Sequence, residues 1–392
     1  MNTYTESRHR IESIDILRGL VMLIMAMDHT REFFHHDALI GNDPTNFKTT
    51  WPLLFFTRWI THLCAPVFVF LSGTSIFLYS KKGRSKKQVA FFLMTRGLFL
   101  IFAEITLINV VLQFDYGSFL ILEVIWVIGL SMIVLAALQY LPFTILLITG
   151  IVIVFGHNLL DGISVEKPFA ASLAWSVLHK LQLFKITPHF SLLVAYPLLP
   201  WLSLMIVGYC TGKLYSREVN KNYRKKFLLL GGITVIALFI IIRFINVYGD
   251  ANVWSSQRTP LFTFLDFIKT TKYPPSLLFM LMTIGPALII LSLAENARSS
   301  VTKFLTVYGK VPFFYFVLHL LIIHSLTLAF SFVSGNGTGS FQGSSNKSAE
   351  IGYPLWVVYL VWLCVISALY YPCKWYGRYK ASHPEKKWLS YL

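Results

Sequence analysis

About ten apolar stretches, each long enough to cross the hydrocarbon core of a bilayer, recur along this chain of 392 residues. They lie near 14–34, 55–79, 89–112, 117–139, 141–157, 192–212, 227–247, 276–294, 311–331 and 354–373. Hydrophobic residues make up 55% of the sequence and aromatic residues 16%, against roughly 45–50% apolar residues in ordinary soluble domains. The expected fold class is therefore all-α: a polytopic membrane helix bundle with about ten transmembrane helices. No segment is long enough to house a separate soluble unit, and no repeat of fixed period is visible. One integral-membrane domain over 1–392, with tails at 1–12 and 374–392, is the expected organisation.

The formal charge of +16 would suggest nucleic acid in a soluble protein. Here the distribution decides otherwise. Basic residues crowd into the N-terminus (Arg8, Arg10, Arg18), 81–87, 213–226, 295–310 and the C-terminal tail, while the intervening loops are poor in them. This every-second-loop pattern follows the positive-inside rule, placing both termini in the cytoplasm and the protein in the cell (inner) membrane. Nucleic acid is not an expected partner; membrane lipid is. The first span has no small-residue cleavage site and is expected to stay as an uncleaved helix. The cysteines Cys64, Cys210, Cys364 and Cys373 show no metal-binding spacing, so neither disulfides nor a metal is expected.

Between the spans, 334–348 is rich in Gly and Ser and reads as a flexible external loop, with sequons at Asn336 and Asn346. The loops 158–191 and 248–275 are partly apolar and are expected to fold back onto the bundle, roofing a cavity open to a polar substrate.

An ionisable residue inside a membrane helix costs several kcal/mol unless it faces the bundle interior or water, so each such residue needs an account. In the first span Asp15, Arg18, Met22, Met25 and His29 share one helical face. Arg18 and His29 are separated by about 16 Å of helix rise. Dipole complementarity accounts for Asp15 and snorkelling for Arg18. Neither explains Asp28 beside His29, where a carboxylate next to an imidazole suits proton transfer. In the second span Arg58 and His62 lie four apart near the outside, followed by Pro66, Ser72 and Gly73, which suggest a kink and a close helix approach. Arg96 and Glu104 share a face of the third span and suit a buried structural pair. His319 and His324 are expected to be hydrogen-bonded core histidines, with room for one of them to face the cavity. Trp201 and Trp254 read as interfacial belt residues, and Lys272 and Tyr273 as either an interfacial anchor or a sugar-binding donor and ring.

The stretches "RIESIDILRGLVMLIMAMDH", "APVFVFLSGTSIFL", "KYPPSLLFMLMTIGPAL", "VPFFYFVLHLLIIH" and "YPCKWYGRYKASHPEKKWLSYL" resemble, over essentially the whole chain, bacterial relatives of heparan-alpha-glucosaminide N-acetyltransferase. The opening S-I-D-x-x-R-G pattern is also similar to a broader membrane acyltransferase group. The resemblance implies an acyl group taken from acyl-CoA, here acetyl-CoA, and delivered to a sugar or glycan acceptor on the outer side. Asp28 stands where the lysosomal enzyme has an asparagine. His35 and His36 are nearest to its histidine, and His29 matches the histidine of the O-acyltransferase relatives, so three candidate bases stay open.

On this reading CoA's phosphates meet Arg18, with Asp15 and Arg96 at the same donor end. The pantetheine arm threads toward His29, which Asp28 orients. Arg58, His62 or Lys272 stabilises the oxyanion, and Tyr273 offers an aromatic face to the acceptor. Direct transfer and an acyl-histidine intermediate are both open. The rival class is a proton-coupled transporter or flippase using Asp28, His29 and Glu104 as a relay, against which the missing internal repeat counts. A homodimer is left open.

Overall fold

A computed structural model describes residues 11–114, 117–333, 352–386 and 389. Arg8, Arg10, the 334–348 segment with Asn336 and Asn346, and the last residues of the tail lie outside these.

The chain enters through α1 (Glu12–Phe34), a short α2 (His36–Leu39), then α3 (Pro52–Thr61) and α4 (Cys64–Ser80), which join at a break around His62. Next come α5 (Lys86–Ala103), a π-helical turn at Glu104–Ile108, α6 (Asn109–Gln113), strand β1 (Phe119–Leu122), α7 (Val124–Leu138) and α8 (Phe143–Gly156). A short helix α9 (Phe169–Leu178), strands β2 (Gln182–Thr187) and β3 (Phe190–Val194), and α10 (Leu198–Thr211) follow. The remainder is α11 (Lys221–Ile245), α12 (Pro260–Ile268), α13 (Leu277–Ala294), α14 (Ser300–Gly309), α15 (Pro312–Val333) and α16 (Leu355–Ser382).

The protein is mostly helical, and among the described residues seven helices are long and apolar enough to span a membrane: Pro52–Ser80, Lys86–Gln113, Phe143–Leu160, Lys221–Ile245, Leu277–Ala294, Pro312–Val333 and Leu355–Ser382. The other three expected spans correspond to α1, α7 and α10. α7 and α10 are shorter than expected because the chain before each is extended: residues 119–122 and 190–194 are β1 and β3. That extension departs from a purely helical fold. The strands form a three-stranded sheet in the order β1-β3-β2, β1 parallel and β2 antiparallel to β3. Its apolar residues Leu122, Phe184 and Val194 bury together. The 158–191 segment thus does fold back, as α9, β2 and the start of β3.

α1 is the centre of the bundle, touching α3, α4, α13, α14, α15 and α16. Seventeen of its 23 residues are buried, on every side of the helix. This is why it carries charges that a lipid-facing helix would not: its surroundings are protein. Met22 and Met25 pack into the core between its two polar ends.

The most extensive helix contacts are α11 with α13, α5 with α7, α4 with α10, and α1 with α14. Each has a glycine on both sides of the seam. A Cβ on Gly19 would lie 1.9 Å from the Leu305 carbonyl oxygen, and one on Gly309 2.0 Å from that of Asp15. Gly73 and Gly208 face the backbones of α10 and α4 at 2.0 Å in the same way. Small residues let backbones meet where lipid gives no hydrophobic drive for association, which answers the close approach expected at Gly73. The seam between α11 and α13 offers a test on adjacent residues. A Cβ at Gly232 would come within 2.6 Å of Ile289 and 2.8 Å of the Gly285 carbonyl oxygen, whereas at Gly231 the nearest atom is 3.9 Å away. Gly232→Ala is expected to cost about 1–3 kcal/mol and Gly231→Ala to be tolerated, read as thermal unfolding midpoints in detergent; equal midpoints would contradict the packing.

Candidate active site

The two polar ends of α1 have different surroundings. At the first, Arg18 donates through Nη1 to Asp15 Oδ1 and the Gly309 carbonyl oxygen, both at 3.2 Å, and through Nη2 to Ser75 Oγ at 3.0 Å. Arg18 does not snorkel to an interface; it clasps α1 to α14 and α4. Nearby, Ser13 donates to Glu295, which also receives Arg224 at 2.5 Å, tying the start of α1 to α11 and α13.

At the second end, one turn and a half of α1 supplies Asp28, His29, Arg31 and Glu32. Asp28 is buried and accepts from Arg31 Nη2 at 3.2 Å through Oδ1 and from Arg58 Nη1 through Oδ2. Glu32 lies 3.4 Å from Arg31 Nη2, 3.6 Å from Arg58 Nη1 and, through Oε2, 3.5 Å from His29 Nδ1. The carboxylate beside His29 is therefore Glu32, not Asp28 as expected. The reason is helical geometry. Adjacent residues point about 100° apart, whereas His29 and Glu32 at i,i+3 share a face. Asp28 is committed to the two guanidinium groups. Nδ1 of His29 is buried and lies toward Glu32 at ion-pair distance without a hydrogen bond, which leaves Nε2 as the ring nitrogen available to a reactant.

Three other elements complete the cluster. α3 carries Arg58, and at its C-terminus His62 is buried with its ring 5.4 Å from Phe279. The π-helical turn on α5 lets Asn109 clamp β1, donating to Ile121 O at 2.9 Å and accepting from Ile121 N at 2.9 Å. Glu104 then receives the Glu123 N–H at 2.9 Å. Glu104 thus caps the start of α7 and is not the partner of Arg96, which lies about 12 Å back along α5 with its guanidinium 5.9 Å from the Phe92 ring. This brings the Glu123 carboxylate into electrostatic range of His29, Glu32, Arg58 and Lys272.

Lys272 and Tyr273 sit on a turn held from beneath. Asp250 accepts from Thr271 N at 2.8 Å, Thr271 Oγ1 at 2.7 Å and Ser276 Oγ at 2.6 Å. His157 contacts the Pro275 carbonyl oxygen at 2.9 Å, and Asn158 accepts from Leu277 N at 2.8 Å. The preceding loop is anchored by Arg243, fully buried and donating to the carbonyl oxygens of Phe267, Asn252, Asp266 and Lys269. The 248–275 segment therefore folds back as expected. Lys272 lies within electrostatic reach of Asp28 and Arg58, with Nζ 4.9 Å from the Tyr273 ring. Tyr273 stands edge-on to Tyr196, which stacks on Trp201 at 5.0 Å. Trp201 is fully buried, so it is a core residue and not a belt residue. Trp254 is tied to Arg243 O at 2.8 Å.

His35 and His36 make further contacts just beyond α1. They follow α1 and pair with Tyr353 through its backbone, and their rings are 5.0 Å apart. His36 Nε2 meets Asp37 Oδ1 at 2.9 Å and His35 Nδ1 lies 3.9 Å from Asp37 Oδ2. Among the described residues, His35, His36 and Asp37 are the group close enough to share a metal ion, their ligand atoms lying within 4.8 Å. Burial pushes the His35 imidazole below its ordinary pKa; Asp37 opposes this, while His36 and Arg31 add to it. His324 bonds the Val111 carbonyl oxygen at 3.0 Å and stacks on Phe114, as a core histidine should. His319 bonds the Tyr315 carbonyl oxygen at 2.9 Å, yet its ring lies 5.2 Å from that of His29.

Residues 10–240, more than half the chain, match the model of the heparan-alpha-glucosaminide N-acetyltransferase catalytic domain. The chain belongs to the heparan-alpha-glucosaminide N-acetyltransferase family. The family is one of membrane acetyltransferases, and its matched region holds Asp28, His29, Arg31, Glu32, Arg58, His62 and Glu123. It stops before Lys272, Tyr273 and His319, so the likeness read over the whole chain rests on the model only as far as residue 240. No curated protein matches the chain.

Removing one partner of a buried ion pair leaves the other uncompensated, at about 3–5 kcal/mol. Asp28→Ala is expected to lose stability on that scale, whereas His29→Gln, which breaks no strong bond, should stay within about 1 kcal/mol of wild type. Thermal unfolding of both variants checks this, and a tolerant Asp28→Ala would remove Asp28 from its structural role.

Proposed function

We propose that this member of the family transfers an acetyl group from cytoplasmic acetyl-CoA to an amine or hydroxyl of a sugar on the outer side. The observation that carries the proposal is His29: a histidine at the far end of a buried central helix, its Nδ1 against Glu32 and Nε2 left for chemistry. Ten spans are counted by adding α1, α7 and α10 to the seven apolar helices, with both termini cytoplasmic in keeping with the charge pattern. The donor end is then that of Asp15 and Arg18, where basic loops gather to meet CoA's phosphates, Arg96 among the candidates.

The acceptor's nitrogen or oxygen attacks the thioester carbonyl while His29 Nε2 takes its proton. Glu32 holds the imidazole and favours the imidazolium that forms. As the carbon–sulfur bond breaks, the electron pair goes to sulfur and the proton passes from His29 to the thiolate, releasing CoA. Arg58 and Lys272 supply positive charge for the oxyanion, with His62 beside them. Asp28 has a positioning part, since it fixes Arg58. Tyr273 and Lys272, at the mouth of α13, are the proposed acceptor contacts. Direct transfer and an acetyl-His29 intermediate both use Nε2.

The test is CoA release from acetyl-CoA by purified protein with a panel of amino sugars and oligosaccharides. His29→Ala is expected to lower turnover by about 10²–10⁴-fold, and Glu32→Gln by a smaller factor. His35→Ala and His36→Ala should remain near wild type. Loss of turnover in either of the last two alone would move the base along the chain. No thioester turnover with any acceptor, together with proton-coupled solute uptake, would overturn the reading in favour of transport.

A further inference from the structure

α1 ends at Phe34 and α2 begins at His36, and His35 between them is extended, with φ −76° and ψ 131°. In one continuous helix, neighbouring side chains point about 100° apart and do not converge on a common atom. The extended residue breaks that rotation, and three consecutive side chains come together. The rings of His35 and His36 are 5.0 Å apart. The Asp37 carboxylate faces both, with Oδ1 2.9 Å from His36 Nε2 and Oδ2 3.9 Å from His35 Nδ1.

The backbone that carries them is held in place. Tyr353 N donates to the Phe34 carbonyl oxygen at 2.8 Å, and His36 N to that of Tyr353 at 3.3 Å. Gly352 passes so close that a Cβ there would fall 2.0 Å from the Cα of His36. Asn42 donates from its backbone to the Asp37 carbonyl oxygen at 2.8 Å and from Nδ2 to Oδ1 at 3.4 Å, which orients the carboxylate.

His35 is 2% exposed, yet its Nδ1 has no hydrogen-bond partner. A buried ring nitrogen left unpaired is uncommon enough to need a reason. The gap of 3.9 Å to Asp37 is too long for a hydrogen bond. Two ligands of one zinc ion, each about 2.0–2.1 Å from it, stand roughly 3–3.5 Å apart. The ligand atoms of the three residues lie within 4.8 Å of one another, so a small side-chain movement closes the set, and the half-exposed His36 has room for it.

We propose that His35, His36 and Asp37 form a site for a divalent transition-metal ion of the zinc class, with two imidazole nitrogens and one carboxylate oxygen as ligands and water completing the coordination. Cysteine spacing gave no reason to expect a metal; these ligands are of another kind. Two imidazoles favour zinc, cobalt, nickel or copper over magnesium and calcium, which take oxygen ligands. Asp37 offsets part of the ion's charge. Arg31 is the neighbouring cation that acts on His35, and it is already engaged by Asp28 and Glu32. The ion braces the junction of α1 and α2 where Tyr353 docks. It takes no part in the transfer chemistry above, and neither proposal depends on the other.

The test uses full-length protein in detergent, purified through a tag without histidine and stripped with a chelator. Zinc titrated against a chromogenic competitor is expected to fill one site per chain, and excess magnesium should not displace it. His36→Ala, at a half-exposed position where the fold does not need the ring, and Asp37→Asn should each weaken zinc binding at least about tenfold, since even outer partners of a metal site cost that much. His189→Ala, which removes an exposed histidine elsewhere, should leave the affinity unchanged. Zinc should also raise the thermal unfolding midpoint of wild type and not that of His36→Ala. Absence of saturable one-to-one binding, or an affinity unchanged in both His36→Ala and Asp37→Asn, overturns the proposal. Equal weakening in His189→Ala marks an adventitious ion only and overturns it as well.

Discussion

The Asp28–Arg58 ion pair is the interaction on which the rest of the site depends. Two opposite charges in the interior of a bundle are tolerable only when each is neutralised and hydrogen-bonded, and both groups meet that demand through each other and through Arg31 and Glu32. The pair ties α1 to α3 one turn before the break at His62. Because Asp28 is spent on this bond, the carboxylate one turn on is left to face His29. The chemistry of the site follows from that division between Asp28 and Glu32.

A second constraint acts below it. α1 can be buried on every side only if its neighbours come close, and the glycines of the α1–α14 and α4–α10 seams allow backbones to touch. Arg18 occupies the same seam, bonding the carbonyl of Gly309 itself. Arg18 is thus first a packing element, its guanidinium held between α1, α4 and α14. The turn bearing Lys272 is held in another way: it is pinned by Asp250, His157 and Asn158, and its loop by Arg243.

Asp28, His29, Arg58, His62 and Lys272 were legible in the sequence because a charge or imidazole within an apolar run violates the demands of lipid, and the violation marks the place. Arg31 and Glu32 were not, since at the end of an apolar run they look like ordinary interfacial residues. Their signal was spacing: Asp28 to Arg31 and His29 to Glu32 are both i,i+3 pairs. Glu123 lay at the edge of a stretch read as continuous helix, and its place depends on a strand that local hydrophobicity does not distinguish from a span. His319 was read as a core histidine, and its buried bond to the Tyr315 carbonyl oxygen agrees; that its ring lies against His29 on another helix was not legible.

By itself the sequence determined a multi-pass helical membrane protein, its family, and the polar end of the first helix as the place to look. These follow from hydropathy, charge and local pattern, which belong to single segments. The tertiary structure decided which carboxylate serves which cation, that His35 and His36 meet Asp37 and Tyr353, and that the His319 ring packs against that of His29 from 290 residues away. Those are contacts between segments, and they depend on how closely helices approach and which faces they turn to one another. No periodicity within one helix carries that information.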